Sequence, residues 1–281
     1  MRVVTFVENG SEPRVGVLRN DTILDLQESF GVGSMLDLIA RDPSARMLGQ
    51  HGDKREIPAN SVRLLAPIAR PPRIFAVGLN YADHAAESKM KVQTVPTVFM
   101  KLSSSVCGPG DEVVLPKNSS EPDYEAELAV VIGKPGYRIA AEDWTDHVFG
   151  YTILNDVSAR DAQLATSQWT LGKSFPTFSP MGPCIVTGDE IGDPHALDIS
   201  LSIDGEVLQK SNTSKLIFKI PQLIEHISSL TPLEAGDIIS TGTPEGVGLG
   251  REPKRWIRDG EEMVIGMQGI GELRNRARAE R

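Results

Sequence analysis

Asp123-Tyr124-Glu125-Ala126-Glu127-Leu128-Ala129-Val130-Val131-Ile132, taken with Gly150-Tyr151-Thr152-Ile153-Leu154-Asn155-Asp156-Val157-Ser158-Ala159-Arg160, decides how this chain folds. Both stretches are apolar and rich in β-branched residues, and both read as strands. Side chains two apart on a strand share a face, so Glu125 and Glu127 point one way and Tyr124, Ala126 and Leu128 the other. Two carboxylates buried side by side are costly unless a cation lies between them. Oxygen-only ligands suit Mg²⁺, Mn²⁺ or Ca²⁺. Asp156, at the end of the second apolar run, is the natural third ligand.

Working outward, 281 residues suffice for one large domain or a large and a small one. A hydrophobic content of 40% with 24% charged residues is that of an ordinary soluble globular protein, and a net charge of −9 argues against nucleic acid or an anionic membrane as the partner. Cys107 and Cys184 are the only cysteines, far apart and without histidine at metal spacing, which excludes a disulfide framework. With Arg2 and Glu8 interrupting the first apolar residues, no signal-peptide core forms, and a cytoplasmic location is expected.

Toward the N-terminus the pattern predicts strands over Arg2 to Val7, Arg14 to Arg19 and Thr22 to Leu26, then a helix from Ser34 (as N-cap) to Ala40. Three prolines between Ala66 and Arg73 interrupt both helix and central strand, which places a boundary near residue 70. Residues 1–70 are expected to form a small α+β domain and residues 71–281 the main one. The main domain opens on the strand Ile74 to Leu79, and beyond it His84 and Glu87 lie three apart on a helical turn, close enough to touch. A weak, exposed ion pair is the plainer meaning of that spacing alone.

Toward the C-terminus, Ser158 and Asp161 resemble a capping box, placing Arg160 and Gln163 on one face of a short helix just past Asp156. The loop from Thr166 to Pro183 is long and aromatic, with Lys173 its only charge. Strands are expected over Cys184 to Thr187, Asp198 to Ile203 and Glu206 to Gln209, the last two joined by an Asp204-Gly205 turn. Ile220 to Leu230 is amphipathic, with Leu223, Ile224, Ile227 and Leu230 on one face and His226 structural at its edge. The strand from Ile238 enters a glycine-rich loop through Gly248, which lacks the Gly-Lys-Ser/Thr of a nucleotide-binding loop. Met263 to Met267 forms a last strand, and the charged tail from Gly271 to Arg281 is expected to fray.

Five motifs in order, Gly78-Leu79-Asn80-Tyr81 with His84 and Glu87, Asp123 to Glu127, Asn155 to Asp161, Gly172-Lys173-Ser174-Phe175, and Ser240 to Gly246, make residues 70 to 275 resemble the fumarylacetoacetate hydrolase family. The resemblance implies a mainly β, α+β fold, a rolled mixed sheet or β-sandwich-like barrel with few helices, usually a homodimer. It also implies Mg²⁺ or Mn²⁺ (Ca²⁺ as a stand-in in crystals) on Glu125, Glu127 and Asp156, and His84 with Glu87 as the water-activating pair. Lys173 becomes an oxyanion-stabilising catalytic residue, Arg160 and Gln163 hold substrate, and Thr243 contacts its carboxylate end.

The activity implied is metal-dependent hydrolysis of a C–C bond in a 2,4-dioxo acid of acylpyruvate or fumarylpyruvate type. Decarboxylation or isomerisation of an oxaloacetate-like or hydroxyheptadienedioate-like acid is the alternative, as is conversion of a keto-deoxy sugar acid. A non-enzymatic, metal-stabilised binding domain is a further class. Pro176, three residues after Lys173, departs from the acidic or small residue common in the family and leaves the substrate open.

Overall fold

The computed structural model describes residues 1–8, 10–42, 55–83 and 93–281. The segment holding His84 and Glu87 lies outside them. The fold is mainly β with few helices, as expected. Among the described residues, twelve strands form one mixed sheet running in space from Glu56–Pro58 through Thr22–Asp25, Arg14–Arg19, Arg2–Val7, Ser179–Thr187, Val148–Asn155, Ala126–Ile132, Ile238–Ser240 and Ile74–Gly78 to Thr97–Lys101, with two short strands paired off this path. Arg2–Val7 pairs with Ser179–Thr187, so the N-terminal strands extend the same sheet as the central ones. A second sheet orders Glu206–Asn212, Asp198–Ile203, Glu262–Met267, Gly271–Ala279 and Glu112–Leu115.

The central strand Ala126–Ile132 is buried at every position. Ala126, Leu128, Val130 and Ile132 enter one hydrophobic core, and Ala129 and Val131 enter another on the opposite face. A strand covered on both faces needs no polar alternation, which is why this run is apolar throughout except at Glu127. Its antiparallel neighbour Val148–Asn155 sets the register: Ala126 faces Asn155, and just beyond the sheet the Asp156 amide donates to the Glu125 carbonyl at 2.9 Å. Two metal-ligand candidates from distant sequence are thereby fixed side by side.

Several local expectations change. Leu26 opens a helix, Leu26–Phe30, rather than ending a strand. The helix Arg160–Leu164 carries no side-chain cap: the Ser158 hydroxyl donates instead to the Asp156 carbonyl, and Asp161 accepts from Ser119 and Ser120. The long aromatic loop ends at Phe178, because Ser179–Thr187 pairs through its prolines. Leu230 is exposed at the end of its helix, beyond the reach of the core that takes Leu223, Ile224 and Ile227.

The largest change is the tail. Gly271–Ala279 is a strand between Glu262–Met267 and Glu112–Leu115. Leu273, Asn275 and Ala277 point inward while Glu272, Arg274 and Arg276 point to solvent, so the charges mark one face of a strand rather than a frayed end. The Asp204-Gly205 turn matches its expectation, both residues having φ > 0. No helix among the described residues is long and apolar enough to cross a membrane.

Candidate active site

Glu125, Glu127 and Asp156 are buried and each offers a carboxylate oxygen within 4.8 Å of the others. The strand end supplies Glu125 and Glu127, and the residue after the neighbouring strand supplies Asp156. Glu127 accepts both of its hydrogen bonds on Oε2, from Ser240 Oγ at 2.5 Å and the Gly242 amide at 2.9 Å, which leaves Oε1 for a cation. Burial, together with the charges of Asp156 and Glu125, pushes the Glu127 carboxyl well above its ordinary range. A site of three mutually repelling, buried oxygen ligands fits a hard divalent cation, which relieves that repulsion. The Tyr81 hydroxyl, fully buried and without a hydrogen-bond partner among the described residues, is held in neutral form by burial and by the Glu127 charge.

Three cations, Lys173, Arg160 and Lys101, surround the carboxylates. Lys173 Nζ donates to Glu125 Oε2 and Asp156 Oδ2, both at 2.8 Å. Burial works against its charge, but Asp156 and Glu125 outweigh that and its pKa is raised, so it is a hydrogen-bond donor here and not a base. Arg160 gives Nη2 to Glu125 Oε1 at 2.6 Å, Nε to Asp123 Oδ2 at 2.8 Å and Nη1 to Gln163 Oε1 at 2.9 Å. That last bond turns the Gln163 oxygen toward Arg160 and leaves its NH₂ for a ligand. Thr243 accepts from Gln209 Nε2 at 2.9 Å. A cavity of about 430 Å³ joins Glu125, Glu127, Arg160, Gln163, Lys173 and Thr243.

A family model described as fumarylacetoacetate (FAA) hydrolase C-terminal matches residues 73–278. The chain belongs to the fumarylacetoacetate hydrolase family. It is 47% identical over 295 residues to the mitochondrial oxaloacetate tautomerase of Rattus norvegicus, spanning 98% of this chain and 91% of that protein. Among solved structures it is similar to maleylpyruvate hydrolase from Sphingobium sp. SYK-6 in complex with manganese(II) ion and pyruvate (TM-score 0.82, 32% identity, all of both chains). It is also similar to 5-carboxymethyl-2-hydroxymuconate delta-isomerase from Mycobacterium smegmatis (TM-score 0.80, 33% identity, all of both chains). These relatives are enzymes, and they divide between hydrolases and isomerases or tautomerases. The rat protein is mitochondrial by name, so a cytoplasmic location does not follow from the family.

The structure brings Glu125, Glu127, Asp156, Lys173, Arg160, Gln163 and Thr243 together, while His84 and Glu87 lie outside the described residues. Three further residues build it. Lys101, at the end of an edge strand, donates Nζ to Asp156 Oδ1 at 2.6 Å and to the carbonyls of Val157 (3.2 Å) and Lys173. Asp123 joins Arg160 to the glycine loop, accepting from the amides of Gly248 (2.7 Å) and Leu249 (3.0 Å). Gln209 bridges the Ala126 amide and Thr243. Only Asp123 carried a signal, as the acid opening the Asp-Tyr-Glu-Ala-Glu run; a lysine ending a strand and a glutamine in a hairpin are unremarkable in sequence.

The Lys173 loop lies close against the Arg160 helix: a Cβ on Gly172 would sit 2.3 Å from the Gln163 amide nitrogen. Gly172→Ala is therefore expected to push Lys173 away from Glu125 and Asp156. The structural cost is about 1–3 kcal/mol, read as a lowered melting temperature, with a fall in kcat and a weaker divalent-metal affinity because Lys173 orients Glu125 and Asp156.

Proposed function

We propose that this site interconverts the keto and enol forms of a short 2-oxo dioate of oxaloacetate type. The observation that carries the reading is the 47% identity to an oxaloacetate tautomerase across 98% of the chain. The geometry supports it, because a carboxylate triad that would hold a divalent cation, with Lys173 beside it, is suited to an oxygen that gains negative charge while a neighbouring carbon loses a proton. Glu125, Glu127 and Asp156 would hold Mg²⁺ or Mn²⁺, which would supply Lewis acidity to acidify the C3 protons of a 2-oxo acid.

The residues divide the remaining work. Lys173 Nζ and the Gln163 NH₂ donate hydrogen bonds to substrate oxygens as charge develops, and donors of this kind each contribute about 3 kcal/mol. Thr243 holds the carboxylate next to the 2-oxo group. Arg160, committed to Asp123 and Glu125, sets the orientation of Glu125 more than it grips substrate. We assign the proton transfer at C3 to His84, whose ordinary pKa of ~6.5 suits it to both directions, with Glu87 orienting the ring. The protein acts on this small acid as a homodimer, without nucleic acid or membrane, in a reducing compartment, cytoplasmic or mitochondrial.

Hydrolysis of a 2,4-dioxo acid is the second reading, favoured by the likeness to maleylpyruvate hydrolase. It uses the same residues, with His84 taking a proton from water instead of carbon. The test follows the loss of enol absorbance from oxaloacetate, and of acetylpyruvate and maleylpyruvate, with Mn²⁺, Mg²⁺ or EDTA. Metal-dependent acceleration of oxaloacetate ketonisation that fails in His84→Ala is expected. Cleavage of an acylpyruvate by a protein inert toward oxaloacetate reverses the two readings.

A further inference from the structure

We propose that Arg251 selects the charge of the substrate's far end, receiving the distal carboxylate of a dioate so that 2-oxo acids with a second anion bind ahead of those with a neutral tail. The inference rests on the oxo-acid reading and specifies its substrate class.

Arg251 borders the same cavity as Glu125, Glu127 and Lys173. Its half-buried guanidinium is fixed by two backbone carbonyls, Nε on Gly246 at 3.1 Å and Nη2 on Leu208 at 2.5 Å. It makes no ion pair with a described residue. The other cavity cations differ in this respect: Arg160 is paired with Asp123 and Glu125, and Lys173 with Glu125 and Asp156. Their charges are answered within the protein. Carbonyl dipoles, with the neutral Tyr124 side chain beside it, hold Arg251 at the border of the cavity without cancelling its charge, and reduced solvent screening there strengthens its pull on an anion. Glu252 also borders the cavity but is exposed and unpaired with Arg251, and exposed Lys254, over the Trp256 ring at 5.5 Å, adds positive charge on the same rim.

The position is set by the rest of the site. Gly246 has φ +96° and would place a Cβ 2.1 Å from the Leu208 carbonyl, so the loop lies close on that strand. Two residues on, Gly248 and Leu249 donate to Asp123, the carboxylate that also holds Arg160. The loop carrying Arg251 is thus tied to the network that orients Glu125. The other wall is apolar: Phe99 and Trp169 meet edge to face at 5.4 Å, with Lys173 Nζ 5.1 Å from the Phe99 ring centre. A second carboxylate extending from the metal-side end finds aromatic carbon on that wall and a cation on the Arg251 side.

The experiment measures affinity of the Mn²⁺-loaded protein for matched ligands: 2-oxoglutarate against 2-oxopentanoate, 2-oxoadipate against 2-oxohexanoate, and oxalate as the chelating head alone. The wild type is expected to prefer each dioate by about tenfold or more. Arg251→Gln removes the charge, and its amide, which reaches about as far as the arginine Nε, can still donate to the Gly246 carbonyl. It should erase the preference while leaving oxalate and monoacid affinity within about twofold, and Arg251→Lys should restore part of it. A purely structural role would weaken all ligands together. A wild type that does not prefer dioates, or a Gln variant that still does, overturns the inference, and the wild-type comparison decides even if the variant folds poorly. Failure of oxalate to bind the wild type brings down the oxo-acid reading and this inference with it; oxalate binding without a dioate preference brings down the inference alone.

Discussion

Replacing Glu127 by glutamine is expected to stabilise the metal-free protein while abolishing its response to metal and lowering kcat/KM by about 10³-fold or more, since a bound metal contributes several kcal/mol to such chemistry. The amide oxygen of glutamine can still accept from Ser240 and Gly242, so the fold around the site is retained. What disappears is a buried negative charge beside Asp156 and Glu125. That charge, with burial, raises the folded-state pKa of Glu127 above its unfolded value.

The sign follows from proton linkage. A carboxyl with a raised folded pKa binds protons more tightly folded than unfolded, so the metal-free wild type loses stability as pH rises from ~4.3 through the raised value. The variant lacks that loss. Melting in EDTA should therefore show the variant gaining on the wild type as pH rises above the unfolded-state value of ~4.3, by about 2–4 °C per kcal/mol of repulsion relieved. Addition of Mn²⁺ should reverse the order, because binding at 100-fold above Kd adds about 2.7 kcal/mol to the wild type alone. A variant that melts below the wild type in EDTA at neutral pH, or that still responds to Mn²⁺, contradicts the assignment of Glu127 as a ligand.

Much of this site was legible because its ligands sit on strands whose character is plain. Glu127 is the one charge in an otherwise apolar run, and Asp156 ends another, so their convergence follows from two-residue periodicity and strand pairing. The five ordered motifs carried the fold in the same way. What escaped are residues whose role is set by contacts distant in sequence. Arg160 reads as a substrate cation, but Asp123 and Glu125 occupy its guanidinium. The tail from Gly271 reads as charged and loose, because its alternation of Leu273, Asn275 and Ala277 with charged neighbours contains only one large apolar side chain. Arg251 lies in a loop of ordinary polar composition, and only the fold brings it to the border of the cavity, held by the carbonyls of Gly246 and Leu208.

Lys101 carries no signal in the sequence, yet Lys101→Met is expected to have the largest effect on stability. Its ammonium is fully buried, where burial lowers its pKa despite the neighbouring Asp156. It donates to one oxygen of Asp156 while Lys173 donates to the other, and it also holds the backbone carbonyl of Lys173. Methionine fills a similar volume but leaves Asp156 Oδ1 and two carbonyls without their donor. Removing one partner of a buried ion pair costs about 3–5 kcal/mol, and because Lys173 still faces Asp156 the lower end applies, roughly a 6–12 °C fall in melting temperature. With Asp156 and the Lys173 backbone both released, Mn²⁺ affinity and kcat should each fall by about 10–100-fold, as when a group that orients a metal ligand is lost. Arginine cannot substitute, because its planar fork does not fit a pocket shaped for one nitrogen with three acceptors. Most of the loss arises from the stranded carboxylate, so Lys101→Met combined with Asp156→Asn should destabilise by less than the sum of the two single changes. Strictly additive losses, or a Lys101→Met protein with unchanged melting and Mn²⁺ affinity, would show that Asp156 is held by Lys173 alone.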